Sequence, residues 1–170
     1  MRSAKFGARL PGDALMAQLS LHSPLGPLTL FAEEDALVAL DWGWVNEQTP
    51  TPLLVSAKAR LDDYFSAKPV LFDFPARPRG TSFQQAVWRE MSAIPFGETR
   101  SYGDLARALG SSPRAVGTAC GRNPLPIIIP CHRVLASNGK LTGYSAGEGV
   151  KTKRQLLDLE ALASGKLLVA

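Results

Sequence analysis

Cysteine and histidine are scarce in this chain, and long apolar runs are missing. The 170 residues include 2 cysteines, Cys120 and Cys131, and 2 histidines, His22 and His132. Their spacing matches no zinc signature, so we expect neither a metal ion nor a cofactor. No stretch approaches the roughly 20 apolar residues that span a bilayer, and the opening residues lack the apolar segment of a signal peptide. We therefore expect a cytoplasmic protein with reduced thiols and no membrane partner.

Positive charge is concentrated in the second half of the chain. Residues 1–76 carry 6 Lys and Arg against 9 Asp and Glu, whereas residues 77–170 carry 13 against 6. The first half therefore has a balance of −3 and the second half one of +7. Such an excess is typical of a surface that binds a polyanion, although a solvated basic face would give the same count.

Short apolar runs that alternate with turn residues predict an antiparallel meander of three strands in the first half. After the third run, Thr51 as a cap and Pro52 at the first helical position predict a helix that covers this sheet. The predicted strands fall within 17–22, 27–32 and 36–42. We predict an α+β protein with a flexible N-terminal tail (1–17), an α/β supporting domain (18–76) and a mostly helical domain (80–165).

The second half has helical periodicity. Ser82 is the expected N-cap of a first helix that Pro95 ends. A second helix is expected after Ser101, with Asp104 at its third position, and a third is entered through Pro113 after a turn at 110–112. Two short helices with this connection predict a helix-turn-helix. Beyond them we expect an extended segment, 123–134, and a final helix, 150–163.

The segment IIIPCHRV, 127–134, leads from buried residues to a thiol with polar neighbours. A nucleophilic cysteine needs a base or positive charge nearby, because an unperturbed thiol titrates near 8.5. His132 is the adjacent candidate base, and Glu160 in the last helix is the candidate for fixing its tautomer. A buried thiol beside a satisfied core histidine would give the same pattern.

The second helix of the helix-turn-helix is poor in side chains that read bases. It carries Ala115, Gly117 and Thr118 after Arg114, where a major-groove reader would present Asn, Gln, Arg or Lys. Small residues allow close approach of the backbone to a narrow groove, which points to minor-groove binding. The alternative is a helix pair packed tightly inside the core.

Five segments together closely resemble the O6-alkylguanine-DNA alkyltransferases: SYGDLA, RAVG, RNPLPIIIPCHRV, GKLTGYSAG and LLDLE. The resemblance is dense from about Ser82 to Glu160 and faint before it. It implies a monomeric repair protein that binds the minor groove of double-stranded DNA, flips O6-alkylguanine (and possibly O4-alkylthymine) out of the duplex and takes the alkyl group irreversibly onto a cysteine.

The resemblance also implies roles for individual residues. Cys131 matches the alkyl acceptor, His132 its water-mediated base and Glu160 the carboxylate that orients the histidine. Asn123 matches the residue that braces the turn before the active-site segment. Tyr102 matches the tyrosine that donates toward N3 of the flipped guanine.

Further positions match the substrate and DNA contacts of the family. Val134 supplies a carbonyl toward the exocyclic amine, while Tyr144 and Ser145 belong to the loop that closes over the base, with Ser145 donating toward O6. Arg114 matches the arginine that fills the place of the extruded base. The neighbours implied in DNA binding are Ala115, Gly117 and Thr118.

Two departures from the family pattern stand out. Only Ser-Ser-Pro separates Gly110 from Arg114, about two residues fewer than usual, which bears on the reach of Arg114. Ala146 stands in the closing loop where glycine is usual. A cysteine hydrolase and a regulator that only binds DNA are the competing functions, but the first needs an oxyanion hole and the second has no use for Cys131.

Overall fold

The computed structural model describes residues 16–166. The predicted tail, 1–17, lies outside this range up to residue 15, and Ala17 is the first residue of a strand. The fold is α+β, with an antiparallel sheet of order β1-β2-β3 followed by helices, as predicted. The strands of this sheet are β1, Ala17–Leu21; β2, Leu28–Glu33; and β3, Ala36–Trp42.

Both edges of the sheet are bonded to other parts of the chain. Along β1, the Gln18 carbonyl accepts the Thr49 N–H at 2.8 Å, and the Gln18 N–H donates to Thr49 Oγ1 at 2.7 Å. Along β3, Leu37 bonds to the backbone of residues 75–77, and the Leu40 N–H donates to the Pro124 carbonyl at 2.9 Å. These bonds occupy backbone groups that an open edge would present to another chain.

Helix α1, Pro52–Phe65, packs against the sheet as predicted. Thr51 Oγ1 accepts the Leu54 N–H at 3.2 Å, and Pro52 lies in the first turn, where a helix has no use for its missing N–H. The buried face follows helical spacing, and each buried leucine contributes about 2 kcal/mol. Its members are Leu54, Ala57, Leu61 and Tyr64.

Helix α2, Ser82–Ser92, begins one residue earlier than predicted, because its N-cap is Thr81 and not Ser82. Thr81 Oγ1 accepts the Gln84 N–H at 3.2 Å, and the Gln84 side chain accepts the Thr81 N–H at 2.9 Å. This reciprocal pair is a capping box, whereas the side chain of Gln85, three residues after Ser82, donates to the Pro78 carbonyl. Val87, Trp88 and Met91 form the buried face of the helix.

The predicted helix-turn-helix consists of α3, Tyr102–Leu109, and α4, Pro113–Gly121. Ser101 and Asp104 form a second capping box at the start of α3. Gly110 ends α3 with φ of 59°, a left-handed conformation that glycine adopts without the usual steric cost. Ser112 then caps α4 by accepting the Ala115 N–H. The turn is short because a single residue ends α3 and a single residue caps α4.

The prediction of an extended segment at 123–134 is wrong. Residues 124–130 fold back on themselves, with the Ile129 N–H donating to the Leu125 carbonyl at 2.8 Å. A 3-10 turn, Cys131–Arg133, follows and leads into β5, Val134–Leu135, which pairs in parallel with β4, Arg100–Ser101. Prolines at 126 and 130 explain the folding, since they interrupt a continuous strand.

Helix α5, Val150–Ala163, closes the fold and packs against the 3-10 turn. One hydrophobic cluster includes residues of both halves of the chain, among them Leu30, Leu61, Met91 and Leu156. The stretch between the halves therefore joins two parts of a shared core. No helix within residues 16–166 is long and apolar enough to cross a membrane.

Candidate active site

The segment before Cys131 is held in an unusual backbone conformation. Ile127 is fully buried and has φ of 75°, a region that β-branched residues rarely occupy. Asn123 braces it from both sides: its Nδ2 donates to the Ile129 carbonyl at 2.7 Å, and its Oδ1 accepts the Leu125 N–H at 2.9 Å. The structure thus places Asn123 where the resemblance implied, between α4 and the active-site segment.

Cys131 and His132 lie in the 3-10 turn, so their side chains point in different directions. His132 is fully buried, and its Nε2 lies 2.6 Å from Glu160 Oε1. Its Nδ1 is buried as well and has no hydrogen-bond partner among the described residues. The structure therefore brings together His132 and Glu160, the pair that the sequence predicted.

Glu160 accepts hydrogen bonds at both carboxylate oxygens. Its Oε1 accepts from His132 Nε2, from Tyr64 Oη at 2.8 Å and from Arg133 Nη2 at 3.0 Å. Its Oε2 accepts from Arg133 Nε at 2.9 Å and from the Gly97 N–H at 3.0 Å. Burial acts to raise the pKa of Glu160, but the His132 and Arg133 bonds outweigh it and lower that pKa to about 2.

An ionised Glu160 fixes the tautomer of His132. A carboxylate can only accept, so the proton of the His132–Glu160 bond must lie on Nε2. Burial lowers the pKa of His132 despite the opposing effect of Glu160. The imidazole is therefore neutral near pH 7, and its Nδ1 is free to accept a proton.

The Cys131 thiol is buried, with a side chain that is almost removed from solvent. Burial raises its pKa, while the Asn123 amide, the positive charge of Lys153 and the Tyr144 hydroxyl act in the opposite direction. The resting thiol is thus protonated, and its neighbours are arranged to favour the thiolate once the proton leaves.

Lys153 is a component of the site that the sequence reasoning missed. It is fully buried on α5, and its Nζ donates to the Val134 carbonyl at 2.6 Å and to the Thr142 carbonyl at 3.2 Å. Burial lowers the pKa of Lys153, although Cys131 and Cys120 act to raise it. Its position two helical turns before Glu160 on one face of α5 was the available signal. The Val134 carbonyl, predicted as a substrate acceptor, is bonded to this lysine here.

Arg133 and Tyr64 were also missed. Arg133 lies in the CHRV motif itself, and besides Glu160 its Nη1 donates to the Ile94 carbonyl at 2.7 Å. Tyr64 comes from α1, so only the three-dimensional fold brings it to Glu160. Neither the sequence around Tyr64 nor that around Glu160 carries a pattern that predicts this contact.

The other predicted substrate residues lie at the start of α3 and in the loop before α5. Tyr102 is the first residue of α3, its Oη donates to the Thr142 carbonyl at 3.3 Å, and burial raises its pKa to about 12. The Tyr144 hydroxyl is buried close to the Cys131 thiol. The Ser145 hydroxyl donates to the Gly121 carbonyl at 3.2 Å, so here it is bonded to the end of α4.

The loop that carries Tyr144 and Ser145 rests on the N-terminal sheet. Gly147 has φ of 55°, and a Cβ added there would lie 2.9 Å from Trp42 Cε2 and 2.7 Å from Thr152 Oγ1. The backbone of the loop thus contacts the indole directly, an approach that glycine alone permits.

The predicted DNA-binding residues lie along α4. Val116 and Cys120 are buried, as their spacing predicted, while Arg114 and Thr118 are exposed and Ala115 and Gly117 are half-buried. Arg114 is the second residue of the helix, because the short turn starts α4 at Pro113. It therefore stands at the N-terminal end of the exposed face, directly after the turn.

The fold and the site define a helix-turn-helix protein that carries a buried cysteine next to a histidine and a carboxylate. Residues 82–162 match the model of the 6-O-methylguanine DNA methyltransferase DNA-binding domain, and residues 16–78 match that of the ribonuclease-like domain of the same methyltransferases. The chain belongs to this family of methylated-DNA–protein-cysteine methyltransferases.

Curated relatives and solved structures agree with the family models. The constitutive methylated-DNA–protein-cysteine methyltransferase of Bacillus subtilis is 44% identical over 155 residues, which cover 84% of this chain and 93% of that protein. The Mycobacterium tuberculosis methylated-DNA–protein-cysteine methyltransferase is 45% identical over 153 residues, with coverage of 83% and 90%. A crystal structure of Mycobacterium tuberculosis OGT in complex with DNA has a TM-score of 0.77 and 43% identity, with coverage of 86% and 94%.

Proposed function

We propose that this protein repairs O6-alkylguanine in double-stranded DNA by taking the alkyl group onto Cys131. The observation that carries the proposal is a buried Cys131 thiol next to a neutral histidine whose Nε2 is committed to Glu160 and whose Nδ1 is free. The membership in the methyltransferase family and the basic second half support it.

The reaction is a displacement at the alkyl carbon. His132 Nδ1 takes the Cys131 proton through a bridging water, and the positive charge of Lys153 favours the resulting thiolate. The sulfur–carbon bond then forms while the carbon–O6 bond breaks, and the bonding electrons leave with O6. The guanine takes up one proton and becomes neutral, which accounts for the proton that the Cys131 thiol lost.

Tyr102 assists the leaving group. Because its pKa is raised to about 12, its hydroxyl stays protonated and donates toward N3 of the flipped guanine. Tyr144 and Ser145 close over the base, and Ser145 donates toward O6 after it leaves the Gly121 carbonyl. Val134 offers its carbonyl to the exocyclic amine. The same displacement extends to O4-alkylthymine, whose alkyl group is also bound to an exocyclic oxygen of the base.

The protein docks in the minor groove through α4. Ala115 and Gly117 allow close approach, Thr118 lies on the same face, and Arg114 fills the space left by the extruded base. One chain supplies every residue of the site, and we propose a monomer that acts in the cytoplasm.

The product on Cys131 is a thioether, which lacks the carbonyl through which an acyl-cysteine is hydrolysed. Each molecule therefore reacts once, in contrast to a hydrolase, which turns over.

Mass spectrometry after reaction with excess methylated duplex tests the proposal. We expect one methyl group per protein, located on Cys131, and complete loss of transfer with retained DNA binding in Cys131→Ser, because a hydroxyl is a far weaker nucleophile. Cys120→Ser is the matched control and should still accept one group. Methylation of Cys120, or continued turnover, would refute the assignment.

A further inference from the structure

Tyr64 links the N-terminal half of the chain to the histidine of the site. It lies on α1, is fully buried, and its hydroxyl is 2.8 Å from Glu160 Oε1 and 3.4 Å from His132 Nε2. The two bonded residues Tyr64 and Glu160 are 96 positions apart in the chain.

The direction of the Tyr64 bond follows from the charge of Glu160. Because the carboxylate only accepts, the tyrosine hydroxyl must donate to Oε1, and burial together with Glu160 raises the Tyr64 pKa so that the proton stays in place. His132 Nε2 donates to the same oxygen. Tyr64 and His132 thus share one acceptor atom.

The groups that act on His132 come from several elements. Glu160 and Lys153 belong to α5, Arg133 follows His132 in the chain, and Cys131 precedes it. Helix α2 also packs on the 3-10 turn, but its charged residues, Arg89 and Glu90, are exposed. Tyr64 is the hydrogen-bonding partner that α1 contributes to this set in the described residues.

We propose that Tyr64 is a positioning residue that keeps His132 neutral, by sharing Glu160 Oε1 and so weakening the hold of this carboxylate on a protonated imidazole. This inference rests on the proposed function, in which His132 Nδ1 must be free to accept the Cys131 proton. It gives the N-terminal half a direct part in the reaction.

The physical reason is that each added donor reduces the negative charge that Oε1 offers to the others. A carboxylate with one donor fewer stabilises the imidazolium more, so the proton is held at Nδ1 at higher pH. Without the Tyr64 hydroxyl, Arg133 still donates to both oxygens of Glu160, so the carboxylate keeps its position. What changes is the strength with which Glu160 stabilises a protonated His132.

The test is Tyr64→Phe, which removes the hydroxyl and keeps the ring. Single-turnover rates with free O6-benzylguanine are measured against pH, so that DNA binding plays no part. We expect the acid limb to move up by about one pH unit, which is about a tenfold slower reaction at a given pH on that limb. The NMR signal of the His132 imidazole should titrate at correspondingly higher pH.

Two controls separate the hydroxyl from packing. Phe72→Leu removes an aromatic ring whose centroid lies 5.8 Å from that of Tyr64. It should lower the melting temperature without moving the acid limb. His22, the other of the 2 histidines, stacks on Trp44, and its imidazole NMR signal should be the same in Tyr64→Phe as in the wild type.

If the acid limb and the His132 titration of Tyr64→Phe stay at their wild-type positions, the proposal is overturned. Tyr64 is then a packing residue. The imidazole titration needs no alkyl donor. A wild-type protein without alkyl transfer would therefore refute the proposed function and not this inference.

Discussion

Glu160 is an ionised carboxylate in the protein interior, and its bonds to His132 and Arg133 depend on that charge. Its folded pKa of about 2 lies below the ordinary value of 4.5. The stability that this difference supplies is present above the unfolded pKa and is lost as pH falls through the folded pKa. It amounts to about 3 kcal/mol.

Glu160→Gln should lower the free energy of unfolding at pH 7, because Arg133 keeps a buried charge without its partner. The variant should also lose less stability than the wild type between pH 5 and pH 2, and its alkyl transfer should slow since the imidazolium is no longer stabilised. Urea unfolding across this pH range measures the first effects. Parallel pH profiles of the two proteins would contradict the pKa argument.

The partners of these side chains could be predicted only in part. His132 and Glu160 fall in motifs, so the sequence identified the pair as a candidate. Tyr64 could not be identified in the same way, because a hydroxyl on α1 resembles an ordinary helix residue. Lys153 was signalled only by its spacing of two helical turns from Glu160. Their role depends on the packing of α1 and α5 around the turn.

The helix-turn-helix was predictable because its boundaries are set locally. Ser101 with Asp104, and Ser112 before Pro113, are capping signals that act within one turn of helix. The same reasoning misplaced the start of α2, since Thr81 and Ser82 each have a glutamine three residues later, and only the observed bond from Thr81 to Gln84 decides between them. The prediction of an extended segment at 123–134 was wrong because the isoleucines favour a strand, whereas the prolines interrupt it.

Arg114→Ala should slow repair of duplex DNA about tenfold or more, since the extruded base otherwise costs a few kcal/mol of unstacking. The reaction with free O6-benzylguanine should change little, because a free base needs no flipping. Arg89→Ala, which removes an exposed charge from α2, is the control for a general loss of DNA affinity. Equal loss with duplex and free base would show that Arg114 supports the fold or the pocket.

The loop over the site depends on the contact between Gly147 and Trp42. Gly147→Ala should lower the melting temperature and the rate with free O6-benzylguanine, because the new methyl group meets the indole and Thr152. Gly143→Ala is the matched control: its φ of 54° carries the same backbone cost of about 1 kcal/mol, but a Cβ there meets nothing within 4 Å. Similar losses in the two variants would mean that the Trp42 contact is unimportant.

The charge of the whole molecule leads to a prediction about DNA affinity. Because the second half carries the balance of +7, binding should weaken as salt rises and should differ little between unrelated duplexes. Titrations of two duplexes at several salt concentrations give the slope of log K against log salt. A slope near zero would show that the basic residues form a solvated surface without a role in binding.

The bonded edges of the sheet matter for how much of this protein a cell can hold. The proposed reaction consumes one molecule for each lesion, so heavy damage demands many copies at the same time. A sheet whose outer strands are occupied by Thr49, Pro124 and residues 75–77 does not offer a template for joining neighbouring molecules into aggregates. The unreacted protein is therefore suited to accumulate at high concentration without aggregating.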